Sequence, residues 1–183
     1  MTPAEASAWP APFDPLRAIT VLIGHGVRFV LIGGFAARLH GSTTVTNDLD
    51  LCCARDPDNL EALAAALRAM HARLRGVDDD VPFLLDAESL HHGDRFTFVT
   101  DAGRVDILGM PSGVSGFDEL ARAAVRMDLD GLNVMVASID DLIRMKRAAA
   151  HPKDLIEVEV LGALRDEIDA RQLDRRRRGQ NSG

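Results

Sequence analysis

Apolar runs alternate with glycines and short polar breaks through the first third of the chain. Asp14-Pro15 has the form of a helix N-cap followed by a first-turn proline, and Leu16, Ile19, Val21, Leu22 and Ile23 then fall largely on one side before Gly24 and Gly26, which predicts a helix. The run from Val27 to Ile32 has the length and composition of a buried strand and ends at Gly33-Gly34. "GFAARLHG" gives one or two helical turns closed by Gly41, and a second strand runs from Asp48 to Cys53.

Further on, Leu60, Leu63, Leu67, Met70 and Leu74 recur at spacings of three and four, the stripe of an amphipathic helix. Asp56 or Asp58 is placed to cap it and Gly76 to end it. Apolar and polar residues alternate on both sides of Asp101-Ala102-Gly103, which predicts a hairpin whose second arm carries Asp106. A short helix, a second hairpin around Asp130-Gly131, and two helices separated by His151-Pro152 follow. Ser138 with Asp141 has the spacing of a capping box, with Asp in place of Glu or Gln. The resulting organisation is a flexible, proline-containing arm over residues 1–13, a core over 14–137, a C-terminal helical segment over 138–173, and a basic disordered tail over 174–183.

Composition narrows the class. With 46% apolar and 27% charged residues and no apolar run approaching the ~18 residues of a membrane helix, the 183-residue chain reads as one globular domain without a membrane span. Its N-terminal stretch lacks the basic and apolar regions of a signal peptide, so the cytoplasm is the expected compartment. Cys52 and Cys53 are adjacent with no other cysteine to pair with, and read as reduced packing residues. The net charge of -7 weighs against a general nucleic-acid coat, and aromatics for base stacking are scarce. Basic residues are nevertheless local: Arg144, Lys146, Arg147 and Lys153, then the run Arg175 to Arg178.

The candidate chemistry lies in the aspartates. Asp48 and Asp50 alternate on one strand and so share a face, ~6–7 Å apart at the backbone. Two like charges repel there unless a cation sits between them, and Asp106 adds a third carboxylate if its arm pairs beside the second strand. Oxygen-only ligands on rigid strands suit Mg²⁺. Asp-x-Asp alone is common on solvated edges, and Asp101, Asp128 and Asp130 read that way, while His91-His92 lack metal-ligand spacing and read as loop residues. The context upstream separates Asp48 and Asp50 from these. Gly33-Gly34 can bring backbone N–H groups near a ligand, and the hydroxyl and amide of Gly41-Ser42 can hold a phosphate oxygen.

"GG", "HGS", "TNDLDL" and a later strand with a lone Asp together resemble the nucleotidyltransferase fold shared with DNA polymerase beta. "TDAGRVDILG" and "SIDDLIRMKRAAAHPKDLIEVEVL" are similar to motifs of bacterial minimal nucleotidyltransferases akin to AbiEii-type toxins of type IV toxin-antitoxin systems, over most of residues 16 to 165. The resemblance implies an α/β (α+β) fold, a mixed sheet flanked by helices with the C-terminal helices packed beside it. It implies transfer of a nucleoside monophosphate from an NTP to an acceptor hydroxyl. Asp48 and Asp50 would ligate Mg²⁺ or Mn²⁺, and Asp106, also near the metal, would help activate the hydroxyl as general base.

By the same resemblance Gly33, Gly34, Gly41 and Ser42 would hold the NTP, Lys146 would neutralise its phosphates, and Lys153 and Asp154 would complete the site, the Asp orienting Lys146. Ser42 and Lys146 are accordingly expected in one cleft with the acids. The chain departs from the pattern it resembles at Thr44, which replaces an arginine and removes one possible phosphate contact, and at His151, where that family often has arginine. The toxin group implies the 3′ end of tRNA as acceptor and a cognate antitoxin as partner. A protein hydroxyl or a small molecule such as an aminoglycoside is the alternative acceptor, and a non-catalytic nucleotide-binding or interaction module is the alternative function.

Overall fold

A computed structural model describes residues 11–76, 83–150 and 152–180, with the backbone alone at 152–153 and 178–180. Residues 1–10 of the arm, His151, the side chain of Lys153 and the last residues of the tail therefore lie outside the described residues.

Helix α1 (Pro15–Gly24) starts where the sequence places it: the Asp14 side chain accepts a hydrogen bond from Arg17 N at 3.0 Å, and Ala18, Ile19 and Leu22 are buried. Strand β1 (Phe29–Ile32) is buried at every position and runs directly into α2 (Gly33–Leu39). Strand β2 (Asp48–Cys53) is followed by α3 (Pro57–Ala69), and of its two candidate caps Asp56 is the one used. The stripe of α3 stops at Met70. His71 has φ +50°, the chain turns, and Leu74 belongs to strand β3 (Arg73–Leu74), so neither Leu74 nor Gly76 is part of the helix as the spacing predicts. His91 and His92 close a short helix, α4 (Ala87–His92), capped by Asp86, and do not sit in a loop.

The first predicted hairpin is β4 (Arg95–Thr100) with β5 (Gly103–Leu108), followed by α5 (Phe117–Ala123). The second is β6 (Val125–Leu129) with β7 (Leu132–Val136). Helix α6 (Ile139–Ala149) is capped by Ser138, which accepts from Asp141 N at 3.1 Å as the box predicts. Helix α7 (Pro152–Gln180) continues past Asp174 into the segment that the sequence marks as a basic tail. Arginine is a good helix former, and no glycine or proline interrupts 174–178. No helix among the described residues is long and apolar enough to cross a membrane.

The strands form one mixed sheet in the order β3-β4-β5-β2-β1-β7-β6. β2 lies between β1, to which it is antiparallel, and β5, to which it is parallel. Leu49 and Leu51 pair with Val105 and Ile107, and all four are buried in the core beside Phe98. Each fully buried side chain of this kind contributes on the order of 1.5–3 kcal/mol. A slip of one residue would exchange the leucines for aspartates in the core, so burial on one face fixes the register on the other. Asn59, buried on α3, locks the far end of the pair. Its amide donates to Ala54 O at 2.7 Å and Arg28 O at 3.1 Å, and its Oδ1 accepts from Arg28 N at 2.7 Å.

Candidate active site

The register of β2 on β5 sets Asp50 directly opposite Asp106 and Asp48 opposite Arg104, on the face away from Leu49 and Leu51. Asp48, Asp50 and Asp106 each bring a carboxylate oxygen within 4.8 Å of the other two. Asp48 Oδ1 accepts from Thr46 Oγ1 at 2.8 Å, which fixes its rotamer. Asp106 is only 5% exposed, and its Oδ1 is buried without a hydrogen-bond partner among the described residues. A buried carboxylate oxygen left unpaired is costly unless something outside the chain binds it.

Charge crowding is visible at two members. Burial, then Asp48 and Asp106, push the Asp50 carboxyl up to about 7, with Lys146 and Arg95 acting the other way. Burial, then Asp48, raise Asp106 against the opposing influence of Arg75, Arg95 and Thr97. Burial also raises both thiols, Cys52 to about 12 and Cys53 further, and neither is in a disulfide, in keeping with a packing role.

The acids open into a cleft of about 620 Å³. Gly33 and Gly34 line one wall at the start of α2, and the close approach requires glycine. Gly33 has φ +67° and a Cβ there would sit 2.7 Å from Asp50 Cγ, while one at Gly34 would sit 2.8 Å from Thr46 Oγ1. Lys146 reaches the cleft from α6, with its ammonium ion-paired to Glu157 and 3.7 Å from Asp154 Oδ1. Asp154 is buried beside it. The backbone of Lys153 lies in the first turn of α7.

Ser42 does not join the cleft. Its buried hydroxyl donates to Thr44 Oγ1 at 3.0 Å and accepts from Thr44 N at 3.2 Å, which shapes the turn into β2, and Gly41 packs toward Leu164 of α7. The wall expected from Gly41-Ser42 is made by Val45, Thr46 and Asn47. The Ser42 hydroxyl is used by its own neighbour, Thr44.

Glu157 was not anticipated from the sequence. Its signal is the spacing of three from Asp154, which sets both on one side of α7 facing Lys146. Arg95 and Arg104, also lining the cleft, become neighbours of the acids only through strand register: Arg95 Nη2 lies 3.9 Å from Asp106 Oδ2.

No family model matches the sequence, and no curated protein does. Among solved structures the chain is similar to the lincosamide antibiotic adenylyltransferase LnuA in its lincomycin-bound form, at a TM-score of 0.56 and 11% identity, over 82% of this chain and 95% of that one. It also aligns with the antibiotic-resistance factor ANT(2'')-Ia at a TM-score of 0.48 and 16% identity, over 91% of this chain and 97% of that one. With its seven-stranded mixed sheet flanked by helices, and with the likeness to the lincosamide enzyme, the chain has the nucleotidyltransferase fold.

Proposed function

We propose that the chain transfers a nucleoside monophosphate from an NTP to an acceptor hydroxyl, releasing pyrophosphate. The observation that carries this is the convergence of Asp48, Asp50 and Asp106, one of them with a buried, unpartnered oxygen, in a cleft of nucleotide size that Lys146 also enters. Residues 14–137 supply the acids and 138–173 supply Lys146 and Asp154, so both segments are needed for one site.

The donor set fits a hard divalent cation: three carboxylates and no nitrogen or sulfur ligand. Asp48, Asp50 and Asp106 would hold Mg²⁺ or Mn²⁺, which when bound offsets phosphate charge and aligns the reacting oxygens. The rest is done by the chain. Asp106 accepts the proton of the acceptor hydroxyl as its oxygen bonds to the α-phosphorus, a role its raised pKa suits. The bond from the α-phosphorus to the β-phosphate oxygen breaks, and Lys146 neutralises the departing pyrophosphate, exchanging Glu157 for phosphate oxygens while Asp154 orients it. Gly33 and Gly34 keep the wall beside Asp50 free of side chains so that the nucleotide can reach it. Lys153 would add a second phosphate contact, and Gly41 and Ser42 would act through the turn that presents Thr46.

Resemblance to the AbiEii-type toxins supports the 3′ end of tRNA as acceptor, and with it an antitoxin partner. Likeness in fold to a lincosamide adenylyltransferase favours a second reading, a small hydroxylated antibiotic. Two buried free thiols accord with a reducing compartment such as the cytoplasm. The test incubates the protein and its Asp48→Ala variant with Mg²⁺, total bacterial tRNA or a set of antibiotics, and each NTP labelled on its α-phosphate. Label on tRNA or on a small molecule with the unmutated protein alone establishes the transfer and its acceptor. Transfer by neither protein, with partner binding retained by both, would identify a contact module instead.

A further inference from the structure

Strand pairing puts Asp106 on the same face as Thr97 of β4, and Arg104, Arg95 and Arg75 lie around it on that side of the sheet. Arg95 and Arg104 line the cleft, and Arg75, whose backbone N donates to Thr97 O at 2.8 Å just after β3, acts on the Asp106 carboxyl together with Arg95. All three arginines are exposed. The opposite face of these strands carries Phe98, Val105 and Ile107 into the core, so the arginines occupy the open face.

Their position relative to the acids is asymmetric. Gly33, Gly34 and Lys146 border the triad on the side of β1, α2 and α6, whereas the arginines border it on the side of β5, β4 and β3. The triad thus has a set of phosphate-compatible groups on each side, and Asp106, the proton acceptor in the proposed reaction, stands on the arginine side. The arginines span two interstrand spacings, ~10 Å, which is more than one phosphate group bridges. Successive phosphates of a strand would cover it.

We infer that the open face of β3, β4 and β5 is a docking surface for the phosphodiester backbone of a single-stranded nucleic acid, whose terminal hydroxyl it delivers to Asp106. This rests on the nucleotidyl-transfer reading above. It also moves the nucleic-acid contact away from Arg144, to which the sequence points: that guanidinium is committed to Glu119 and Asp141, both at 2.6 Å, tying α6 to α5. A polycationic acceptor such as an aminoglycoside would be repelled by the arginine face.

The test measures binding of a fluorescent single-stranded RNA to the full chain by anisotropy across a salt series. The variants are R75Q/R104Q, R75K/R104K, and a charge reversal of the rival basic run, R175E/R176E/R177E. The expected result is at least tenfold weaker binding by R75Q/R104Q at low salt, with the slope of log affinity against log salt reduced by about 1.4 for two lost phosphate contacts. R75K/R104K should restore most of both, and the α7 reversal should leave both near the wild-type values. A DNA strand of the same sequence should bind equally. Recognition of RNA alone would move the contact to the 2′-hydroxyls and overturn the inference.

It is also overturned if the wild type binds no strand, if R75Q/R104Q is folded by circular dichroism yet binds unchanged, or if the α7 reversal alone abolishes binding. Calorimetric binding of Mg·NTP to the wild type separates the two readings. Strand binding through Arg75 and Arg104 without nucleotide binding leaves the surface standing and removes nucleotidyl transfer; nucleotide binding with no strand binding does the reverse.

Discussion

Asp106 presents a buried carboxylate oxygen that has no hydrogen-bond partner among the described residues. Removing its charge separates a ligand from a structural residue. Asp106→Asn should abolish the rise in melting temperature that Mg²⁺ produces and lower turnover ~10²–10⁴-fold, the usual worth of a positioned general base. The metal-free melting temperature should hold or rise, because two other carboxylates lose a repelling neighbour. A variant that melts lower without metal and still responds to Mg²⁺ would mean that Asp106 supports the fold and not the ion. Gly33 offers a steric counterpart. Gly33→Ala combines a left-handed φ with a collision at the Asp50 carboxylate, so a loss on the order of 1–3 kcal/mol in a denaturant titration and at least tenfold weaker Mg²⁺ binding are expected.

Strand β2 shows why acids can be held so close together. Its two ends are fixed separately, by Asn59 at the Ala54 end and by the register against β5 at the Asp48 end. Asn59→Ala leaves buried backbone groups of Arg28 and Ala54 without partners, and should cost about 2–3 kcal/mol in thermal or urea unfolding while the folded fraction keeps its Mg²⁺ affinity. Helix α7 contributes differently, by holding Lys146 between Glu157 and Asp154. Glu157→Gln removes a competitor for the ammonium while Asp154 continues to orient it, so NTP should bind several-fold tighter by calorimetry, and weaker binding would make Glu157 part of the nucleotide site.

These elements also mark what the sequence could and could not convey. Alternation and caps located α1, β2, both hairpins and α6 because local chemistry determines them: Asp14-Pro15, the tight turn at Asp101-Ala102-Gly103, and the Ser138 box. The apolar spacing that defines α3 ran on into Leu74 by coincidence, since only the backbone at His71 breaks it. Ser42, Glu157 and the arginine face depend on which hydroxyl a turn consumes, how two helices cross, and which strands pair, and no local pattern encodes those.

For the molecule as a whole, the clustered acids make stability a function of pH and of metal together. Asp50 is raised to about 7 in the fold from an ordinary carboxylate value, and Asp106 is raised as well. Between those values the folded chain holds more protons than the unfolded one, so this contribution to stability is greatest at low pH and is lost as pH rises through about 7. In EDTA the melting temperature should therefore fall by several degrees between about pH 5 and pH 8. Millimolar Mg²⁺ should oppose that fall, and its own stabilising effect should grow over the same window, because below about 7 the ion must displace a proton from Asp50. Asp50→Asn provides the reference, since every other titrating group is retained in it. Differential scanning calorimetry of both proteins, with and without Mg²⁺, should show the pH-dependent gap in the wild type and a much flatter one in the variant. Equal slopes would place the source of the pH dependence outside the acidic cluster and leave the cation site without its expected linkage to folding.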